Sequence, residues 1–510
     1  MDVRIAELLV LLSFGADLGT GQPMEHVLRQ TVIAVRLAEK AGAPVDVAYY
    51  TSLLAWVGCH IDAYEQAKWF GDDLAVKRDF RLENATSVRD MITTMVTHVG
   101  AGRHGLEKIR TLAAFMTGGM KDIEHTLQNH CFSAAELARR LRMSEDVILS
   151  LAQTFERWDG RGPGKVKGDN ATLPSRLVGL ADVLAVYHRA GGVEAAVAVA
   201  KARSGTQFDP ALVALFCEHA TDSTAGVDAV TVETVLAAEP AARTTFTDDE
   251  LDAILEAIGD FVDLKSPFTI GHSRAVAELA RDAAHASGFP ERDVKATYRA
   301  GLVHDIGRVG VSNAIWDKPG ELTEAEMERV RLHPYLTGRM LESVPALSYL
   351  AAPASQHHER LDGSGYPNRL SGDALSASAR ILAAADTYRA KLEPRPHRAA
   401  LSAEAAATLM HDEARAGRLD GAAVDAVLGA AGHRAPRKPS LPAGLTLREV
   451  DVLRLLARGL SSKEIAQRLV ISPKTARNHT EHIYTKIGVS NRALASLFAV
   501  RNGLMDEPIV

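Results

Sequence analysis

Cysteine is scarce in this chain: three among 510 residues, Cys59, Cys131 and Cys217. Their number is odd, they lie far apart, and no two share metal-ligand spacing, so they read as free thiols in a reducing compartment. Runs of β-branched residues are also scarce, which removes the usual material of a strand-rich fold. No acidic or low-complexity block suggests a long disordered segment. The opening "MDVRIAELLVLLSFGADLG" has a short apolar stretch but neither a basic n-region nor a small-residue cleavage site. No uninterrupted run approaches the ~20 apolar residues that span a bilayer. The chain is therefore read as cytoplasmic, with no membrane partner.

What is abundant is Leu and Ala at helical spacing. A hydrophobic share of 46% and a charged share of 24% describe a folded, soluble protein, and the length suggests roughly three domains. The net charge of −6 is uneven: residues 441–510 hold ten Lys/Arg against six Asp/Glu, a balance of +4, which leaves −10 for the rest. An acidic body with a basic C-terminal piece suggests a soluble module joined to a nucleic-acid binder.

The chain also resembles itself. "FERWDGRGPG" at 155–164 matches "HERLDGSGYP" at 358–367, and the same offset carries His130 to His333. One residue of slippage then carries Asp182 to Asp386, and upstream His26 pairs with His272. Two copies of one helical unit thus fill about 1–245 and 246–432. The first holds about forty extra residues, since Gly58 to His130 spans 72 positions and His304 to His333 spans 29. By this alignment Gly58-Cys59 stands opposite His304-Asp305, and Thr154-Phe155 opposite His357-His358. The first copy reads as a scaffold that keeps the fold's glycines and has lost the chemistry.

Copy two offers His272, His304-Asp305, His333, His357-His358 and Asp386. Five imidazoles and two carboxylates, each on or beside a different helix, suit borderline divalent metals such as Fe, Mn, Zn or Ni in a pocket between helices. Seven side chains exceed what one tetrahedral ion needs, so two ions are the natural count, with a carboxylate such as Asp305 able to bridge them. Two metals ~3.5–4 Å apart activate water and polarise a phosphoryl oxygen, the logic of phosphodiester hydrolysis. Arg308, one helical turn after Asp305, could grip a phosphate.

"GHS", "HDIGRVGV", "HP", "HHERLDGSGYP" and "AAAD" follow the order and spacing of the HD-GYP family, a branch of the HD phosphohydrolases, and the resemblance covers about 265–400. It implies an all-α HD fold and hydrolysis of a cyclic dinucleotide, cyclic di-GMP in most members, to a linear product or onward to mononucleotides. It implies His272, His304, Asp305, His333, His357, His358 and Asp386 as metal ligands, with Asp305 and Arg308 at the reacting centre. It implies Gly365, Tyr366 and Pro367, together with Arg308, on the substrate side. Fe or Mn is expected ahead of Zn and Ni. Three departures stand out. Members with a third metal have a glutamate where this chain has Phe268, which implies two ions. The family's lysine is Arg308. Arg389 replaces a second aspartate in the "AAAD" helix.

The segment "HRAPRKPSLPAG" at 433–444 reads as a Pro-rich linker. Beyond it, Thr446 and Glu449 form a capping-box pattern. Two short helices then meet at a turn, the second carrying Lys474, Thr475, Arg477, Asn478 and His479. That is a helix-turn-helix, whose second helix enters the major groove. Residues 445–501 resemble the LuxR-type helix-turn-helix domain, a four-helix unit here placed at 445–510. The resemblance implies Thr475 and Lys486 on phosphates of double-stranded DNA, Lys474, Arg477 and Asn478 on base edges, and a homodimer through the last helix. The expected architecture is two HD-type bundles in tandem followed by this domain. Two functions are compatible with it: a phosphodiesterase coupled to a transcription regulator, or a regulator whose tandem senses a nucleotide or metal with slow or no turnover.

Overall fold

In the computed structural model the described residues are 3–80, 97–240, 244–433, 442–502 and 504–505. Among them the chain is all-α as expected. One two-residue antiparallel ribbon, Val3–Arg4 against Thr245–Phe246, is the only sheet among the described residues. Two compact units form, Met1–His433 and Arg434–Val510. Most of the expected linker, 434–441, lies outside the described residues.

In the larger unit one hydrophobic core runs through both halves. The halves present their elements in the same order. The helix Ile5–Gly19 answers to Asp248–Asp263, His26–Ala41 to His272–Ala286, and Val45–Leu54 to Glu291–Val303. The 3-10 turn Val57–His60 answers to Ile306–Gly310, the helix Met120–Arg140 to Glu324–Glu342, and Leu173–Ala202 to Ala377–Leu392. Ile5–Gly19 buries 13 of its 15 residues and packs on the turn Ile306–Gly310, so the first half braces the second at its HD segment.

Contacts recur at matched positions. Asp17 accepts from Val27 N (3.1 Å) and Asp263 from Ser273 N (2.8 Å), each capping the helix that begins at the matched histidine. The residue before that helix is left-handed in both, Glu25 at φ 71° and Gly271 at φ 78°; only the glycine takes this conformation at no steric cost. Glu156 accepts from Gly164 N and Val166 N, as Glu359 does from Asn368 N and Leu370 N.

One register differs from the sequence expectation. Gly58 and Gly307 share one role: a Cβ on Gly58 would lie 2.4 Å from His130 O, and on Gly307 2.1 Å from His333 O. Trp56 (φ −110°, ψ 4°) and Asp305 (φ −101°, ψ 9°) likewise share a backbone conformation before the turn. The residues opposite His304-Asp305 are therefore Ala55-Trp56, not Gly58-Cys59. Close helix approach, which only glycine permits, sets this register.

Leu173–Ala202 is long and apolar enough, by length and composition, to cross a membrane. Its backbone breaks at Gly191 and Gly192, and Leu177, Val178, Leu180, Ala181 and Leu184 are buried in the core. It is a core helix of this unit.

Among the described residues the smaller unit has four α-helices, Leu447–Ala457, Ser462–Leu469, Pro473–Ile487 and Arg492–Arg501. Capping boxes at Thr446/Glu449 and Ser461/Glu464 start the first two, and Ser472 caps the third with Pro473 at its first position. Leu453, Leu456, Ile465, Ala466, Ala476 and Ile483 form its core.

Candidate metal centre

Four local devices aim imidazoles at one point. Pro334 lacks an N–H, so it leaves the carbonyl of Val330 without its helical donor. His333 Nδ1 donates to that carbonyl at 2.6 Å. His304 and His357 follow helix ends and donate from Nδ1 to the carbonyls three residues back, Gly301 (2.7 Å) and Ala354 (2.6 Å). His272 Nδ1 donates to Glu393 Oε1 at 3.0 Å. Each bond fixes a proton on Nδ1 and turns Nε2 toward the centre.

These nitrogens surround two carboxylates. Asp305 Oδ2 lies 3.7 Å from His304 Nε2 and 3.9 Å from His272 Nε2. Its other oxygen, Oδ1, lies 3.4 Å from His333 Nε2 and 3.7 Å from His357 Nε2. Asp386 Oδ1 lies 3.3 Å from His272 Nε2, and its Oδ2 lies 3.8 Å from His358 Nδ1. The groups His272/His304/Asp386 and His333/His357/His358 each bring their ligand atoms within 4.8 Å of one another. Asp305 spans the two groups, one oxygen toward each. All seven expected ligands meet here.

The donor chemistry fits a pair of cations. His333 Nε2 and His357 Nε2 face each other at 3.2 Å, yet both rings carry their proton on Nδ1, so two lone pairs oppose without a proton between them. His304 Nε2 is buried with no hydrogen-bond partner. Burial pushes His333 down to about 4 and His357 to about 3, so these imidazoles are neutral at neutral pH and able to bind a cation. Burial opposes ionisation of Asp305, but Arg308 and the imidazoles of His304, His333 and His357 outweigh it and hold the carboxyl well below its usual range. Burial likewise opposes protonation of His272, and the carboxylates Asp386 and Glu393 overcome it, raising the ring to about 10. The centre thus draws positive charge, which divalent cations would supply.

Around this core Arg308 donates to Asp305 Oδ2 at 2.9 Å, and its guanidinium stacks 4.1 Å from the ring of Trp316. Thr337 Oγ1 donates to His304 O and accepts from Gly307 N, tying the HD turn to the helix of His333. The Gly-Tyr-Pro loop closes one side: the Tyr366 ring lies 4.9 Å from that of His358. Gly365 has no room for a side chain, since a Cβ would lie 2.4 Å from Arg360 N, and Pro367 follows a cis peptide bond. The glutamate of "HHE" is not among the ligands. Both its oxygens hold the loop, at Asn368 N (2.7 Å) and Leu370 N (3.0 Å).

Sequence reasoning passed over Glu393, Trp316 and Thr337. Pro334 after His333 was a readable signal for the Val330 contact; the tryptophan and threonine carried none. Arg389 leaves the helix Ala377–Leu392 uninterrupted, and Asp386 keeps its place. In the first half His26 Nε2 pairs with Asp182 Oδ1 at 2.9 Å, matching His272 and Asp386. His130 is kept opposite His333, while the positions opposite Asp305 and His358 are filled: Trp56 and Phe155 pack edge to face at 5.3 Å, and Trp56 donates to Gln30 Oε1.

In the smaller unit Lys474, Thr475, Arg477 and Asn478 are exposed along the helix Pro473–Ile487, and His479 is half-buried. Lys486 is engaged within the unit, donating to Glu449 Oε2 (2.7 Å) and Gly444 O (3.2 Å).

Known proteins match these features. The HD domain family matches residues 256–423, and the bacterial regulatory proteins of the luxR family match 443–499. The chain is 34% identical over 417 residues to 3'3'-cGAMP-specific phosphodiesterase 3 of Vibrio cholerae serotype O1, covering 80% of this chain and 90% of that protein. It is 38% identical to a cyclic di-GMP phosphodiesterase response regulator of Xanthomonas campestris pv. campestris, over 28% of this chain and 38% of that one. A crystal structure of a cyclic GMP-AMP specific phosphodiesterase of V. cholerae aligns with TM-score 0.58 at 30% identity, covering 85% of this chain and 99% of that one. The chain belongs to the HD-GYP branch of the HD-domain phosphohydrolases, with a LuxR-type helix-turn-helix domain at its C-terminal end.

Proposed function

We propose that the second half hydrolyses a 3',5'-phosphodiester bond of a cyclic dinucleotide, and that the LuxR-type unit binds double-stranded DNA. The observation that carries the reading is Asp305, one oxygen facing each of two imidazole groups. Two divalent cations, Fe or Mn ahead of Zn and Ni, held by His272, His304, Asp305, His333, His357, His358 and Asp386, would polarise a phosphoryl oxygen and lower the pKa of water. Arg308, already stacked and paired, offers a pre-set guanidinium to a phosphate. Tyr366, held by Gly365 and Pro367, lines the substrate side and excludes water. The V. cholerae relative with 90% of its length covered is named for 3'3'-cGAMP, so that nucleotide ranks ahead of cyclic di-GMP as substrate.

The first half serves as a scaffold, because Trp56 and Phe155 fill the space that ligands occupy in the second. In the DNA-binding unit Lys474, Arg477 and Asn478 are placed for base edges and Thr475 for a phosphate, with His479 beside them. Lys486 reaches a phosphate only by releasing Glu449. Leu494, Leu497 and Val500 leave an apolar stripe exposed on the helix Arg492–Arg501, which suits a homodimer of a cytoplasmic regulator. A second reading, a ligand-sensing regulator with slow or no turnover, is favoured by the filled first half beside a DNA-binding unit. The deciding experiment is hydrolysis of 3'3'-cGAMP and cyclic di-GMP by the Mn- or Fe-loaded full chain, beside Asp305→Ala. Product from wild type alone supports the enzyme. Intact nucleotide with protein holding two metals per chain, together with altered operator affinity, supports the sensor.

A further inference from the structure

We propose that Asp73, which belongs to the first half, is a positioning residue for Arg308 in the second. The inference rests on the reading of Arg308 as the phosphate-gripping residue. Asp73 opens the helix Asp73–Phe80, inside the stretch by which the first half exceeds the second. Its carboxylate is fully buried, which is costly for a charge that serves only packing. Asp73 Oδ1 accepts from Ser312 Oγ at 2.7 Å and from Asn313 N at 2.9 Å, and Oδ2 faces Lys77 (3.3 Å) and the buried Lys265 (3.8 Å).

Those contacts reach the centre in two steps. Ser312 and Asn313 start the short helix Asn313–Trp316. Asn313 Nδ2 also donates to Lys265 O (2.7 Å) and Asp317 Oδ2 (2.6 Å), and Asp317 accepts from Ser266. At the other end of the helix Trp316 lies under the Arg308 guanidinium and donates from Nε1 to Arg308 O at 3.3 Å. Trp316 also meets His333 edge-on at 5.3 Å. Arg308 in turn holds Asp305 Oδ2. A carboxylate of one half therefore fixes the platform on which the other half's arginine lies. This gives the half without ligands a share in the reaction that a detached second half would lack.

The test is a double-mutant cycle in the full chain, loaded with manganese, using hydrolysis of bis(p-nitrophenyl) phosphate beside a cyclic dinucleotide. Asp73→Asn keeps the shape and removes the charge, and Ser312→Ala removes the hydroxyl at the far side of the same contact. In wild type, Asp73→Asn is expected to lower kcat/KM by about 10- to 100-fold, the scale of a displacement of about 1 Å. Metal content should stay close to wild type, while the unfolding midpoint should fall, because Lys265 is left buried without its carboxylate; activity is therefore read well below that midpoint. In an Arg308→Ala background the same change should cost less than about twofold, because the group it positions is gone. Equal losses in both backgrounds, or loss of metal with loss of activity, would overturn the proposal. If the cyclic dinucleotide is left intact while the simple diester shows the non-additive cycle, the substrate class is wrong and the positioning role stands.

Discussion

Glu359 lies directly after His357 and His358, two of the proposed metal ligands, yet its oxygens hold a loop, and this separates two expectations cleanly. Glu359→Gln keeps one acceptor oxygen and loses one charge-assisted bond to a backbone N–H, a cost of about 1.5–3 kcal/mol. Glu359→Ala strips both acceptors from Asn368 N and Leu370 N and costs roughly twice that. Because the loop carries Tyr366 against His358, kcat/KM should fall by about 10- to 100-fold in Glu359→Gln. Metal content, measured by plasma mass spectrometry, should remain at the wild-type value. The first half supplies a control: Glu156 makes the same two bonds, so Glu156→Gln should lower the urea midpoint and leave turnover unchanged. Metal loss in step with activity in Glu359→Gln, at an unmoved midpoint, would refute the loop role and return Glu359 to the ligands.

Four further outcomes follow from the same geometry. Asp305→Ala should lower metal occupancy and reduce kcat by about 10³-fold or more, the scale of losing a central charge-stabilising group; plasma mass spectrometry and product release check it. Glu393→Gln, which weakens the hold on His272 Nδ1, should weaken metal binding by about 10- to 100-fold, read by chelator competition. His60 donates to Phe261 O at 2.8 Å, and burial pushes it down to about 4. Its folded value lies below its unfolded one, so the unfolded chain binds the extra proton. Stability is full above about pH 6.5 and falls by up to roughly 3 kcal/mol as pH drops toward 4; urea titrations of His60→Gln should lack that component. Lys474→Ala should cost about 1–3 kcal/mol on the operator and narrow the gap between specific and non-specific DNA, measured by fluorescence anisotropy.

The convergence of these seven side chains was legible because a buried imidazole without a partner is costly, and five at helix-end spacings have few other uses. The helical fold was legible from spacing for the same kind of reason, since apolar periodicity reports burial directly. What supports the ligands was not. Trp316 under Arg308, Thr337 between two turns and Asp73 from the other half act through contacts distant in sequence, and nothing local marks a tryptophan as a platform. The one register error has the same origin. Residue type suggested Gly58-Cys59 opposite His304-Asp305, whereas the contact that fixes the register is Gly58 against the carbonyl of His130.

The retained histidines of the first half sharpen the point. His26 and Asp182 survive as a buried pair at 2.9 Å, although Ala55, Trp56, Thr154 and Phe155 stand where the other ligands would be. A buried histidine that keeps its carboxylate is satisfied without a metal, so its survival reports the fold and not the chemistry. His130 fits the same account from the other side. It is followed by Cys131 and not by proline, so no carbonyl is left free for its Nδ1, and its Nε2 lies 3.2 Å from Asp62 Oδ2. What marks the second half as the reacting one is therefore not how many histidines it holds. It is that each of His272, His304, His333 and His357 has its Nδ1 taken by a neighbour, so that its Nε2 is left to face the same small space.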